Sequence, residues 1–330
     1  MNSLAMPPTA PVVLIIFNRP HETRRVFEAI RQVSPKRLLV AADGPRKGIS
    51  GDVERCNEAR RATENIDWPC EVGRRYLDEN LGCRRAVSSA ITWVFEQVDE
   101  AIILEDDCLP DSTFFRFTTE LLEHYRMDER VGMISGNNFV PLEKSPSKGM
   151  NYYFSRHCHI WGWATWRRAW WHFDLEMKDW PAMRKKRRWL EALTGSSVAA
   201  NFWRRAFDDA FEGHPDGLNT WDGAWTYACW LHGMLSVVPA RNLVQNIGFG
   251  GEGTHTNSSD AVTNVPAASL EFPLTHPSLV EAAVAADELE EQTVFYGYTA
   301  LQRLIWTMRL PLSLRSMLRI QRAARRLLRR

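Results

Sequence analysis

Ala101-Ile-Ile-Leu-Glu-Asp-Asp-Cys-Leu-Pro110 decides how the rest of the chain is read. Ile102, Ile103 and Leu104 form an unbroken apolar run, as in a strand buried on both faces, and Glu105, Asp106 and Asp107 follow it directly. Carboxylates crowded at a strand end repel one another and resist burial unless a positive group sits among them. A bound divalent cation meets that need. A solvated acidic turn, helped by Pro110 and by a helix cap at Asp111 or Ser112, explains the same residues.

Working outward from this stretch, strands alternate with helices. Towards the N-terminus, Pro11–Phe17 reads as a buried strand, and Asn18-Arg-Pro-His-Glu-Thr-Arg24 opens a helix to about Gln32, with Pro20 suited to its first turn. A second strand over 35–42 ends in the turn Asp43-Gly-Pro-Arg46. A helix over 52–65, a short strand over 72–76 and a helix from Asn80–Arg85 to about Val98 lead to the 101–104 strand. A helix over 112–126 and a strand in 131–138 follow. This pattern predicts an α/β fold with a mostly parallel sheet covered on both faces. Ligands of such sheets bind at the carboxyl edge, where the loops at Arg19, Asp43, Asn80 and Glu105 gather.

Residues 141–149 are polar and turn-rich, a connection between a first lobe (1–140) and a second region (141–270). That second region opens with five Trp in eleven positions, 161–171. They form either a structural wall or a surface that contacts a sugar or another aromatic ligand. Helices are expected over 182–194, 198–212 and from Trp221 to about His232, with a short strand from Leu235 to Val238. Gly248-Phe-Gly-Gly-Glu-Gly-Thr-His255 is a flexible or sharply turning segment carrying a histidine. An acidic helix over 278–292 belongs to a helical C-terminal region (271–330).

The overall charge is +1, but residues 301–330 hold nine Arg and no acid, which leaves −8 on the first 300 residues. The basic character belongs to the tail, and nucleic acid is not an expected partner. The tail resembles an interfacial amphipathic helix attracted to anionic lipid; docking on the acidic body, or a disordered basic tail, explains it as well. Six scattered Cys without a CxxC pair read as free thiols, with one disulfide left open. No signal peptide or spanning segment is apparent.

At the carboxyl edge, Asp43 is placed to accept from a base or ribose, and Arg19 to pair with a phosphate. Neither G-x-G-x-x-G after the first strand nor a P-loop is present, so a dinucleotide dehydrogenase or P-loop enzyme would lack its phosphate-binding loop. A nucleotide-using enzyme without those loops can neutralise phosphates with Mg²⁺ or Mn²⁺ held by the 105–107 acids. Arg84, Arg85 and His255 are further cationic donors to the same phosphates. Transfer to a hydroxyl needs a base, and Asp222, between Trp221 and Trp225 as the two walls of an apolar sugar pocket, is the candidate. The competing role for Asp222 is a helix cap.

These residues resemble a nucleotide-sugar glycosyltransferase of the GT-A type, and most closely the family that adds the first branching N-acetylglucosamine to N-glycans, with its O-mannose-modifying relative. The likeness runs in order over about residues 11–260. The strand with Arg19 is similar to that family's first nucleotide-binding loop, Ala42-Asp43-Gly44 to its uracil-contacting turn, and Asn80–Arg85 to the start of its donor-side helix. Leu104-Glu-Asp-Asp107 resembles its metal motif, which implies Asp107 as the direct ligand. Trp161-Gly-Trp163 falls where the family has an acceptor-side segment. Trp221-Asp-Gly-Ala-Trp225 resembles the stretch carrying its catalytic base, which implies Asp222, although Gly223 stands where the family has a second acid. Asn246 and Gly250–His255 are similar to its mobile donor loop.

The resemblance implies a GT-A fold and a metal-dependent inverting glycosyltransferase that moves a sugar from a UDP-sugar to a glycan or glycolipid. Without the N-terminal transmembrane anchor of the Golgi enzymes, a bacterial cytoplasmic relative is expected, peripheral at the inner membrane face. The alternatives are a retaining GT-A enzyme, a nucleotidyltransferase, and a non-catalytic glycan-binding protein.

Overall fold

The computed structural model describes residues 8–147, 149–213, 220–248 and 265–295, with the backbone alone at Arg187. His255, most of the Gly-rich segment and the Arg-rich tail lie outside the described residues. Within them, eight strands form one sheet in the order β3 (Glu71–Tyr76), β2 (Arg37–Ala42), β1 (Val12–Ile16), β4 (Glu100–Glu105), β8 (Trp163–Trp166), β6 (Val131–Ser135), β9 (Leu235–Pro239), β7 (Tyr152–Ser155). The first four run parallel, and β8 enters antiparallel to both β4 and β6. The sheet is therefore mixed, and the 140/141 boundary falls between strands of one continuous sheet. A short ribbon pairs β5 (Cys108–Pro110) with β10 (Val244–Asn246).

Every residue of β1 is buried. Alternation sends Val12, Leu14 and Ile16 to one face and Val13 and Ile15 to the other, and each face meets its own apolar cluster. On the first face lies α1 (Pro20–Val33), which buries Thr23, Val26, Phe27 and Ile30 at helical spacing. Next to it packs α4 (Ser112–His124), capped by the Asp111 carboxylate, which accepts from the Thr113 N–H at 2.9 Å. On the other face lie α3 (Gly82–Phe95), α8 (Ser197–Glu212) and α9 (Asp222–Leu231). The remaining helices are α2 (Asp52–Arg61), the single turns α5 (Arg167–Trp170) and α6 (Trp180–Met183), α7 (Arg187–Thr194) and α10 (Val284–Glu290), which continues as a wider π turn over Glu291–Phe295.

The Trp-rich stretch is mainly wall. Trp163, Trp166 and Trp170 are buried, Trp161 is partly covered and Trp171 is exposed. Trp163 stacks on Trp221 at 5.5 Å between ring centroids, and Trp225 packs on Trp170 at 5.2 Å. Three of the buried indole N–H groups have clear partners: Trp225 donates to Met133 Sδ, Trp170 to Thr92 Oγ1 and Trp166 to the Leu122 carbonyl.

The acidic helix is not solvated on all sides. Asp287, Glu290 and Glu291 are buried against β7 and the residues after it. Asp287 accepts from Ser155 Oγ and Arg156 Nε, Glu290 bonds His159 Nε2 at 2.7 Å, and Glu291 meets His157 Nε2 at 3.3 Å. Burial alone would raise the Glu290 carboxyl, but His159 and His157 outweigh it and hold it at about 2. A carboxyl lowered by folding contributes stability that is present above its ordinary 4.5 and is lost as pH falls towards 2. The two imidazoles are raised by Glu290 against their burial, so their contribution is present below 6.5 and is lost as pH rises through the raised values. Glu290→Gln strands the buried His159 imidazolium and leaves His157 with Glu291 as its one carboxylate partner, and is expected to cost about 3–5 kcal/mol in urea unfolding at neutral pH. The variant should also lose sensitivity to acid between pH 4.5 and 2.

Candidate active site

Strand order reverses between β1 and β4: from β1 the chain moves to β2 and β3 on one side, then returns to place β4 on the other. Loops that leave such a point diverge and open a crevice at the carboxyl ends of the strands. Phe17-Asn18-Arg19 leaves β1 there, and Glu105-Asp106-Asp107 leaves β4. Register sets Ile15 beside Glu105, so the two loops start level.

Arg19 joins the loops. Its Nη1 donates to Asp106 Oδ1 at 3.2 Å and to Asp107 Oδ2 at 2.6 Å. Asp106 is further committed, accepting from the Phe17 N–H at 3.0 Å. Asp107 is the more open of the two, at 16% of its side chain against 7%. Burial, with the charges of Asp107, Asp106 and Asp222, pushes Glu105 well above the carboxylate range. Asp106 is raised by burial and by Asp107 against the pull of Arg19. The crevice thus crowds more carboxyl groups together than Arg19 can hold ionised, and two of them keep their protons more tightly in consequence.

Asp222 belongs to this group through the start of α9, and its charge reaches Glu105. It makes no capping hydrogen bond, and its Oδ1 is buried with no partner among the described residues. A buried carboxylate oxygen in that state is rare in a purely structural setting. The flanking Trp221 and Trp225 do not shape a sugar pocket; both are buried in the Trp stack beneath the helix.

The ribbon of β5 and β10 carries residues 246–248 across Asp107. Ile247 N–H donates to the Asp107 carbonyl at 2.8 Å, and a Cβ on Gly248 would lie 2.5 Å from Asp107 Oδ2. Glycine is required for the backbone to come this near the carboxylate.

Two other expected donor contacts are engaged elsewhere. Asp43 accepts from the N–H groups of Gly44, Leu81 and Gly82 and from Asn80 Nδ2, all within 3.1 Å. It fixes the turn that starts α3, and all four bonds are to the protein's own donors. Arg84 Nη2 donates to the carbonyls of Leu175 (2.6 Å) and Ala210 (3.1 Å), which ties α3 to the α8 side. Arg85 is exposed on the same helix.

Three residues beside the crevice were not singled out by the sequence: Asn18, Arg46 and Cys83 line it together with Phe17, Arg19, Asp43, Asn80, Glu105 and Asp106, around about 140 Å³. Arg46 carried a signal, since it ends the turn after β2 at the same sheet edge. A second cavity of about 420 Å³, walled by Asp99, Glu100, Trp166 and Trp171, lies at the opposite end of β4.

Among the described residues no group of three or more His, Cys, Asp or Glu is disposed to hold a metal by itself. All six cysteines are free, and no described helix is long and apolar enough to cross a membrane. No protein-family model matches the chain, and no curated protein matches it.

Proposed function

We propose that the protein is a metal-dependent inverting glycosyltransferase of GT-A type that uses a UDP-sugar and acts on a hydroxyl of a glycan or glycolipid. The observation that carries this is the Arg19 guanidinium held by Asp106 and Asp107 at the crevice between β1 and β4, with a buried, unpartnered Asp222 oxygen on a carboxylate whose charge bears on Glu105.

A divalent ion fits this donor set. Burial and mutual repulsion raise Glu105 and Asp106, Asp106 and Asp107 share the one Arg19 guanidinium, and a hard cation would relieve that crowding. The protein would offer Asp107 as its ligand, with donor phosphates and water completing an oxygen shell suited to Mn²⁺ or Mg²⁺. Bound, such an ion supplies neutralisation of the charge that grows on the departing diphosphate.

The chain's own residues do the rest. Arg19 reaches the same place from α1 and presents a cation to a phosphate oxygen. Asp106, bonded to the Phe17 N–H, keeps that arginine aimed. Asp222 takes the proton of the acceptor hydroxyl through its free oxygen as the hydroxyl attacks the anomeric carbon. Buried Trp163, Trp221 and Trp225 make the floor under Asp222 rigid. The Arg-rich tail would hold the enzyme against anionic lipid at the cytoplasmic membrane face.

Calorimetry of UDP with and without Mn²⁺ tests the proposal. Binding is expected to be strengthened at least about tenfold by the ion, in line with the removal of several kcal/mol of charge repulsion. A protein that bound glycans but ignored both UDP and Mn²⁺ would instead be the non-catalytic glycan binder.

A further inference from the structure

The loop after β1 sends two neighbouring polar side chains to opposite sides of the crevice. β1 lies between β2 and β4. Arg19 turns towards β4, where it binds Asp106 and Asp107. Asn18 turns the other way. Its Nδ2 donates at 2.7 Å to Oδ1 of Asp52, which opens α2 and also binds Arg46 of the loop after β2.

Asp52 is fully buried, yet the donors around it, Arg46 first and then Asn18 and Arg55, hold its carboxyl well below the usual carboxylate range. It stays ionised and can only accept. The amide atom that faces it is therefore the nitrogen, which settles the orientation of Asn18 and leaves Oδ1 turned away from Asp52. That oxygen takes no hydrogen bond among the described residues. Asn18 lines the crevice, half-buried, beside Ile15, Phe17, Ala86 and Val87. A fixed acceptor among apolar side chains orients a flat ligand that carries an N–H. Asp43, the other acceptor on this side, is already bonded to four of the chain's own donors.

We propose that Asn18 is a specificity-determining residue whose Oδ1 accepts from the N3–H of the donor's uracil ring, and that Asp52 is the positioning residue that fixes its amide. This rests on the reading of the crevice as a UDP-sugar site. Uracil carries that N–H between two carbonyls, so the second Nδ2 hydrogen donates to one of them and the amide reads two adjacent groups of one base edge. With Arg19 at the diphosphate on the β4 side and Asn18 at the base on the β2 side, the nucleotide lies across the end of β1.

Calorimetry in Mn²⁺ with three probes tests this: UDP, its N3-methyl analogue, which lacks that hydrogen, and inorganic pyrophosphate, which lacks the base. The wild-type chain is expected to bind UDP at least about tenfold tighter than the analogue. In Asn18→Ala, UDP affinity should fall at least about tenfold and the preference over the analogue shrink to within about twofold, with pyrophosphate affinity also held within about twofold. Asp52→Asn, which removes the charge that orients the amide, should reduce the same preference; an unchanged preference there would overturn the positioning role. Indifference of the wild-type chain to N3 methylation overturns the proposal, and this arm needs no variant to fold. So does an Asn18→Ala chain that keeps the preference, or that loses pyrophosphate as much as UDP. A wild-type chain that binds neither UDP nor pyrophosphate would remove the glycosyltransferase reading itself, an outcome distinct from a chain that binds both and ignores the methyl group.

Discussion

Asp107→Asn is expected to abolish metal-dependent transfer, a fall of at least about a hundredfold, while the fold survives. The substitution keeps the shape of the side chain and removes its charge. Arg19 retains its bond to Asp106, so the link between the loops after β1 and β4 persists. What disappears is the more open of the two aspartates, the one across which Gly248 passes. Mn²⁺ should then no longer strengthen UDP binding, and the two losses should appear together. Asp106→Asn makes the contrast: it weakens the Phe17 N–H and Arg19 bonds of a buried group and should lower thermal stability as well as activity. Full activity in Asp107→Asn, measured as release of UDP in the presence of an acceptor, would remove the metal assignment.

The second large effect is expected at Asp222. Asp222→Asn should lower kcat by about 10²–10⁴, the range for a general base, with UDP affinity unchanged. Its structural cost is small, since the side chain makes no cap bond and only the favourable placing of a charge at a helix start is lost, about 0.3–1 kcal/mol. A normal melting temperature with a collapsed kcat is therefore the expected pair of results. The anomeric configuration of the product is a separate check. One base on the acceptor side predicts inversion, and a retained configuration would favour the retaining alternative.

The first half of the fold is legible because its signals are local. β1, β2 and β4 are short apolar runs that stop at polar turns, and α1 shows Thr23, Val26, Phe27 and Ile30 at helical spacing. The cap of α4 was readable as Asp111 or Ser112 from their place before a helical run, and it is Asp111. β8 was not, because Trp163-Ala-Thr-Trp166 is four residues long and becomes a strand only between two others. The burial of Glu290 was hidden for a related reason: its partners His157 and His159 lie more than 130 residues earlier, and an acidic helix read alone looks solvated.

The site divides in the same way. The acids after β4 and Arg19 after β1 could be placed at one edge, because alternation of strands and helices predicts where loops collect. Asp43 and Arg84 occupy the expected elements but spend their hydrogen bonds on the protein, a matter decided by the Asn80–Gly82 turn and by the Leu175 and Ala210 carbonyls. The bonds of Asp52 to Asn18 after β1 and Arg46 after β2 depend on two loops closing on the start of α2, which periodicity does not report.

The threading of β8 has a consequence for anyone who would excise or graft the nucleotide half. β8 fills the gap between β4 and β6, so a fragment ending near residue 140 would retain two strands about 9.5 Å apart with no backbone between them. Both would present unsatisfied amides along formerly interior edges, a template for aggregation. Chimeras that aim to exchange donor preference should therefore swap the loops after β1 and β2 and leave the sheet as one inherited piece.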